Sequence, residues 1–456
     1  MRPLHLVSRR PLLVLPVLLL VLTGCGSWQR VGTSTTVTPE TQFVGLLDAD
    51  ATYGRLGHLV SSGQLNYVGS VAFVPGAGDS TRALIGLSLA NREFAFQRDG
   101  QGFGARYRVD YQFDRPGSPP KVVGHDQPIR VATFQETLRS DESLLLQEQV
   151  TLAPGDYTVT VKVRDLANGQ VGTATRKFTA PAFHAGSFTA PVLAYQVRAR
   201  GARTDSLSIV MNPRGTVAYG GDTLLIYFEG VGYKAPTTVP LQVRDDRDSL
   251  VFHTQVHFSG TREVESQYIR LAPDSVPLGQ LEFILGDTTT GTRRTSALVS
   301  FSSAWVVTNF DDLISLLRYF GADNRLSRIQ KAKSTDRAEL WKEFYHDTDP
   351  VPSTPNNEAL DLYFARIAIA NQRYRNEGGP GWRTDRGEVY IVLGDPDEVY
   401  DASPTLQYAG RYYQWNYTEY RVALFFQDQT GFGRFRLTTA SRSDFERVKT
   451  RVQPAR

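Results

Sequence analysis

Cysteine is all but missing from this chain: Cys25 is the single one in 456 residues. No disulfide can form within the chain, and no cysteine-based zinc site can be built. An excess of charge of either sign is missing too. Lys and Arg number 50 against 47 Asp and Glu, and Arg2, Arg9 and Arg10 all precede Cys25. Removing that leader leaves 47 against 47, so no global electrostatic pull toward nucleic acid or anionic lipid is expected. No apolar run reaches the ~20 residues of a membrane-spanning helix. There is no nucleophile elbow, phosphate-cradling glycine loop or zinc motif. The histidines after Cys25 are scattered, and the one close pair, His253 and His257, falls on the alternating stretch Val251–Phe258. Four strand residues span ~13 Å, too far for two ligands of one zinc. No metal or cofactor is expected.

What is present begins with an export signal. Basic residues precede an apolar run from Leu12 to Leu22, broken only by Pro16, and the run stops at Thr23 and Gly24. Leu22-Thr23-Gly24-Cys25 resembles the bacterial lipobox. That resemblance implies cleavage of a signal peptide, residues 1–24, and lipidation of Cys25 on its thiol and amine. Each buried acyl methylene contributes ~0.8 kcal/mol, and two or more chains give stable anchoring. Ser8-Arg9-Arg10 partly resembles a twin-arginine export motif. Gly26-Ser27-Trp28 carries no acidic residue after the cysteine, which by resemblance to sorting rules disfavours inner-membrane retention. The expected location is the bacterial envelope, at the outer membrane facing the periplasm. Residues 25–40 read as a flexible tether with a reach of ~20 Å.

The body is long enough for about three domains at ~150 residues each. Residues 41–182 hold a short helix and then period-two runs: Tyr67–Val74, Thr81–Leu89, Glu93–Arg98, Ala105–Phe113, Ile129–Leu138, Leu144–Leu152, Asp156–Arg164 and Val171–Phe178. Turn chemistry such as Pro75-Gly76-Ala77-Gly78-Asp79 separates them, which argues for an antiparallel sandwich. Residues 190–302 repeat the scheme after a junction near Pro181–Pro191. The turns at Leu152-Ala153-Pro154-Gly155 and Leu271-Ala272-Pro273 resemble the late hairpins of immunoglobulin-like and fibronectin III-like domains. The expected fold is two tandem antiparallel β-sandwiches followed by an α+β domain over 305–445.

In that last region Asp311–Phe320, Asn324–Lys333 and Asp336–His346 read as helices, with Asp336 and Glu339 placed for a capping box. Thr354-Pro355 reads as the start of a longer helix running to about Asn376. Gly378-Gly379-Pro380-Gly381 stops it and delivers Trp382. Thr384-Asp385-Arg386-Gly387 suits a tight turn, Glu388–Leu393 alternates as a strand, and Asp395-Pro396 suits a second turn. Tyr412–Tyr417, Val422–Asp428 and Phe435–Thr439 read as further strands. Tyr408, Tyr412, Tyr413, Trp415, Tyr417 and Tyr420 make this tail unusually aromatic.

Gly381-Trp382-Arg383-Thr384-Asp385, with Arg386-Gly387 and Gly394-Asp395-Pro396-Asp397-Glu398, resembles the GWxTD domain family of bacterial lipoproteins. Asp349-Pro350, Thr354–Glu358 and Gly431-Phe432-Gly433 fit the same pattern, which spans roughly Asp311–Thr439. The resemblance implies an exported, often lipid-anchored protein and carries no biochemical activity with it.

Two readings of the motif stand beside each other. In the first, Gly381, Trp382, Thr384, Asp385, Arg386, Gly387, Asp395, Pro396 and Asp397 form a structural keystone or a binding surface, with Trp382 plugging a seam between helix and sheet. In the second, Asp385, Asp395, Asp397 and Glu398 supply carboxylates for calcium or for acid–base chemistry. A strand between Asp385 and Asp395 puts them ~20 Å apart and no EF-hand glycine is present, so the first reading leads. The expected function is a non-catalytic, lipid-anchored envelope protein. Its sandwiches act as a spacer presenting a C-terminal module to a protein or glycan partner. A wall- or surface-polysaccharide hydrolase and a purely structural assembly protein are the alternatives.

Overall fold

The computed structural model describes residues 49–139, 141–221, 223–272, 276–302, 305–333, 336–354, 356–401 and 410–453. The expected signal peptide, Cys25, the tether and Tyr408 lie outside the described residues. No helix among the described residues is long and apolar enough to cross a membrane. The chain is mostly antiparallel sheet in its first part and gathers its longer helices in its last part, as expected.

After a short helix α1 (Ala49–Arg55), the first two sheets face each other. One holds Tyr67–Pro75, Thr81–Leu89 and Leu144–Leu152; the other is built on Val171–Ala180, Gly155–Asp165 and Gly102–Asp114, with Gln97–Asp99 and Lys121–Val131 at its far side. Strict alternation drives the pairing. Tyr157, Val159, Val161 and Val163 turn inward and are buried, while Thr158, Thr160 and Lys162 turn outward. Ile129–Leu138 is not one strand. Its first part ends Lys121–Val131, and Thr133 then caps a short helix, α2 (Phe134–Thr137), in a reciprocal box with Glu136. The local cap outweighs the apolar alternation there.

The next two sheets repeat the arrangement, with Leu224–Val231 central in one and Gly279–Asp287 central in the other. The single parallel pairing among the described strands joins Thr216–Ala218 to Gly291–Ser300. His253 and His257 point to solvent from Leu250–Phe258, as the alternation predicts. Leu224–Val231 is buried on both faces. Leu224, Ile226 and Phe228 enter the core of this sandwich. Leu225 and Tyr227 meet Val74 and Leu84 of the preceding sandwich in a second apolar seam. Inside that seam Arg200 forks onto Glu229 at 2.7 and 2.8 Å and donates to the Pro75 carbonyl at 2.7 Å. The sandwiches are therefore packed side by side through a desolvated ion pair.

The last part contains helices α3 (Phe310–Leu316), α4 (Asp323–Lys331), α5 (Arg337–Asp347), α6 (Glu358–Tyr374), α7 (Asp385–Leu393) and α8 (Thr439–Val452). A four-stranded antiparallel sheet accompanies them: Glu398–Asp401, Arg411–Tyr417, Val422–Asp428 and Arg436–Leu437. Asn357 caps α6 by accepting from the Leu360 N–H at 2.9 Å. Thr354 does not take that role; it lies upstream and donates to Glu358 and the Val351 carbonyl. Asp336 stands at the cap position of α5 without a side-chain cap bond. One core runs through the module, and in it Trp305 stacks on Phe364 at 3.8 Å.

Candidate functional site

The motif stretch, which the sequence reads as turn, strand and turn, is a turn of 3-10 helix followed by an α-helix. Gly381–Arg383 forms the short turn and α7 follows at once. Thr384 sits between them. Its hydroxyl donates to the Gly381 carbonyl at 2.8 Å and accepts from the Gly387 N–H at 3.0 Å, which is an N-cap. Asp385 and Glu388 occupy the first turn, where the helix dipole favours acids. Gly394 ends the helix at φ 85°. The run Val389-Tyr390-Ile391-Val392-Leu393 satisfies strand alternation in sequence. In the structure Val389, Tyr390, Ile391 and Leu393 are all buried, because α6, α8 and the sheet surround the helix.

The glycines of the motif are required by close approach. A Cβ on Gly381 would stand 2.3 Å from the Ala370 carbonyl oxygen of α6, and one on Gly387 only 2.0 Å from the Gly381 oxygen. Both are below any tolerable contact, so the 3-10 turn lies directly against α6 and α7. Asn371 of α6 secures it by accepting from the Gly381 N–H at 3.0 Å. Trp382 is thereby driven into the core and is 0% exposed. Tyr319 meets its ring edge-on at 6.3 Å, and the guanidinium groups of Arg383 and Arg318 lie 4.8 and 5.5 Å from its centroid.

Each charged side chain of the motif has a separate structural partner. Asp385 accepts from the Leu437 N–H at 2.8 Å and pairs with Arg442 at 3.1 Å and Arg436 at 3.2 Å. It ties the start of α7 to the last strand and α8. Arg386 forks onto Glu377 at 2.6 and 2.7 Å and lies over the ring of Phe435 at 4.3 Å. Burial pushes the Glu377 carboxyl above its usual range, against the pull of Arg386 and the Phe435 N–H. Asp395 pairs with Arg373 of α6. Asp397 accepts from the Thr418 N–H and its own N–H donates to the Asn416 carbonyl at 2.9 Å. Pro396 stands half-buried between them.

Asp385 and Asp395 lie at opposite ends of α7, roughly 15 Å apart at the helical rise rather than the ~20 Å of a strand. The separation is smaller than expected, and the two acids still serve different clusters. No group of three or more metal-ligating side chains occurs among the described residues.

One element of this module has no counterpart in the sequence reading: α8, whose first residue falls at the end of the expected strand Phe435–Thr439. Thr438 caps it, and Phe445 and Val448 reach the core. A turn follows Val422–Asp428, where the sequence reads a hairpin turn at Asp428–Gly431. The Asp428 carboxylate, fully buried, accepts from the Thr430, Gly431 and Gly433 N–H groups at 3.1, 3.0 and 2.7 Å. Burial raises its pKa, but these bonds outweigh burial and hold it below the usual carboxylate range. On this clamped turn Phe432 is 82% exposed. Tyr400 and Phe425 add exposed aromatic surface on the nearby sheet. Of the described aromatic residues of the tail, Trp415 and Tyr417 are buried and Tyr412, Tyr413 and Tyr420 are half-buried.

A comparison with curated proteins finds no match. Among solved structures, the chain is similar to dimeric latent PorU from Porphyromonas gingivalis at 10% identity and a TM-score of 0.23, over 51% of this chain and 20% of that one. It is also similar to trypsin-activated alpha-2-macroglobulin from Escherichia coli at 10% identity and a TM-score of 0.18, over 55% and 18%. The FN1-FN3 domains of chicken CNTN1 are similar at 10% identity and a TM-score of 0.16, over 50% and 65%. The chain thus spans about a fifth of the length of the first two. The family model described as the GWxTD domain matches residues 282–447, from the last strands of the second sandwich into α8.

Proposed function

We propose that this chain is a non-catalytic protein of the bacterial cell envelope, anchored by lipid on Cys25. In this reading the paired sandwiches space a C-terminal module from the membrane, and that module binds a protein partner. The GWxTD motif acts as its keystone. Burial of Trp382, and the separate partners of Asp385, Asp395 and Asp397, support the architectural role.

The observation that carries the binding role is Phe432. A large apolar side chain at 82% exposure is held out by a turn whose backbone is clamped by one buried carboxylate. An aromatic anchor already fixed in place loses little entropy on docking, and such residues dominate protein interfaces. A single protruding ring suits a pocket on a protein better than the flat face of a glycan.

The test has two arms. Metabolic labelling with a fatty acid is expected to mark the wild-type chain and to miss Cys25→Ser. A photo-crosslinking side chain at position 432, in native membranes, is expected to yield a protein adduct that one at position 382 does not. A carbohydrate adduct would transfer the site to a glycan, and no adduct at 432 would sink the binding role.

A further inference from the structure

We propose that the first sandwich binds a neutral sugar in a cleft at its open edge. Lys121–Val131 and Leu144–Leu152 each end their sheet, with one neighbour apiece among the described strands. These two unpaired edges lie on the same side of the sandwich and part to leave a cleft of about 420 Å³ between the sheets.

Strand register sets what faces the cleft. Tyr107 stands opposite Gln127, Val109 opposite His125 and Tyr111 opposite Val123, and directly opposed residues share a face. Tyr107, Val109 and Tyr111 are buried members of the sandwich core, so Gln127 and His125 also point between the sheets. From the other sheet Leu146 and Glu148 do the same, being paired with Leu87 and Ile85 of that core. His125 reaches across to Glu148 at 2.9 Å. Beyond the cleft, Lys121 reaches across to the Thr151 carbonyl at 2.7 Å.

Buried phenols are normally hydrogen-bonded, and others in this core are: Tyr67 donates to the Val161 carbonyl at 2.7 Å and Tyr157 to the Ala153 carbonyl at 3.0 Å. Tyr107 and Tyr111 are 2% and 1% exposed, and neither hydroxyl has a hydrogen-bond partner among the described residues. Neither oxygen is sealed off from solvent, so both open into the cleft they line. Burial pushes the Tyr107 phenol up to about 12, and burial together with the Glu148 charge pushes Tyr111 up as well. Both therefore keep a proton to donate and lone pairs with which to accept.

The charges decide the ligand class. Among the described residues Glu148 is the one carboxylate lining the cleft, and no lysine or arginine lines it. Arg108, Asp110 and Asp126 lie on the opposite face of their sheet and pair with one another there. An anion would meet Glu148 unrelieved. An ammonium group only donates, so it offers the phenol protons no acceptor. A sugar hydroxyl donates and accepts at once, which suits two phenols, the Gln127 amide and the Glu148 carboxylate. Leu144 and Leu146 give its C–H face an apolar wall. The volume falls in the ~300–1,000 Å³ range of small-molecule sites.

Ligand-observed NMR titrations on the full chain test the site, with glucose, galactose and N-acetylglucosamine as neutral probes and glucuronate and ethylamine as charged ones. Saturable binding of at least one neutral sugar is expected, with glucuronate and ethylamine weaker than that sugar. Tyr107→Phe combined with Tyr111→Phe removes two oxygens and no internal bond. It is expected to weaken binding about tenfold, as two lost hydrogen bonds predict, at an unchanged or higher melting temperature. Gln127→Trp fills the cleft from an exposed position on its wall and is expected to abolish binding with the fold intact. The proposal is overturned if none of the three sugars binds, if the double Phe variant or Gln127→Trp binds as the wild type does, or if a charged probe binds more tightly than the sugars. A lower melting temperature in the double Phe variant would overturn it too, by showing that the hydroxyls already serve the core.

Discussion

Truncating Trp382 to alanine tests the keystone role most directly. The side chain is fully buried against Tyr319, Arg318 and Arg383, and the backbone around it cannot collapse freely. Gly381 is pressed onto the Ala370 carbonyl, and Thr384 bridges Gly381 to Gly387. Large aromatic truncations in cores cost ~3–5 kcal/mol, with the upper end reached where the site relaxes least. Two stacked guanidinium groups lose their ring as well, at ~0.5–1 kcal/mol each where partly exposed. About 4–7 kcal/mol is therefore expected, a large share of the ~5–15 kcal/mol by which a typical domain is stable. Urea denaturation followed by tryptophan fluorescence gives a local readout, because Trp305, Trp341 and Trp415 are also buried in this module. Far-ultraviolet circular dichroism, dominated by helix, follows the same module, because the longer helices lie in it. Both transitions are expected to shift together to lower urea. A loss below about 1 kcal/mol would refute the reasoning and return Trp382 to the role of a surface residue.

Gly387→Ala places a Cβ 2.0 Å from the Gly381 oxygen and is expected to destabilise the module at least as much as Trp382→Ala in the same titration. Arg386→Leu strands Glu377 in a buried site, which costs ~3–5 kcal/mol at neutral pH. Burial already raises the Glu377 pKa and loss of Arg386 raises it further, so protonation relieves the variant more than the wild type. The deficit of the variant against wild type is expected to shrink as pH falls through the carboxylate range, checked by melting temperatures at two pH values. His58 has its pKa lowered by burial from 6.5 to about 4. Its neutral form is the folded one, so stability is unaffected above pH 6.5. Between pH 6.5 and 4 about 3 kcal/mol is lost as the unfolded chain takes up the proton first. In His58→Phe that part of the acid slope is expected to vanish from the pH dependence of unfolding. Asp397→Asn, exposed and bonded to one N–H, is expected to change stability by less than about 1 kcal/mol.

The sandwiches were legible because one buried face forces a period of two, as at Tyr157, Val159, Val161 and Val163. The seam between them was not. Leu224–Val231 is apolar on both faces, and an all-apolar run does not say whether its second face meets another sheet or another domain. Helix α7 was misread for a related reason. Nearly all of it is buried, so it shows no polar face, and its β-branched residues favour the strand reading. Its boundaries were in the sequence: a threonine followed by two acids at the start and a glycine at the end. Weighing caps above alternation would have found it, as it would have found α2 and α8. The partners of Asp385 come from chain segments folded back onto it, which no local pattern announces.

The seam between the sandwiches also sets how force passes through the chain. Arg200 grips Glu229 in its own sandwich and the Pro75 carbonyl in the other, while Arg203 reaches across to the Gly78 carbonyl at 2.6 Å. Tilting one sandwich on the other would pull these bonds apart in a dry interface, where nothing replaces them at once. The pair is thus a stiff joint rather than a hinge. A load applied across the seam is borne as shear along Leu225, Tyr227, Val74 and Leu84.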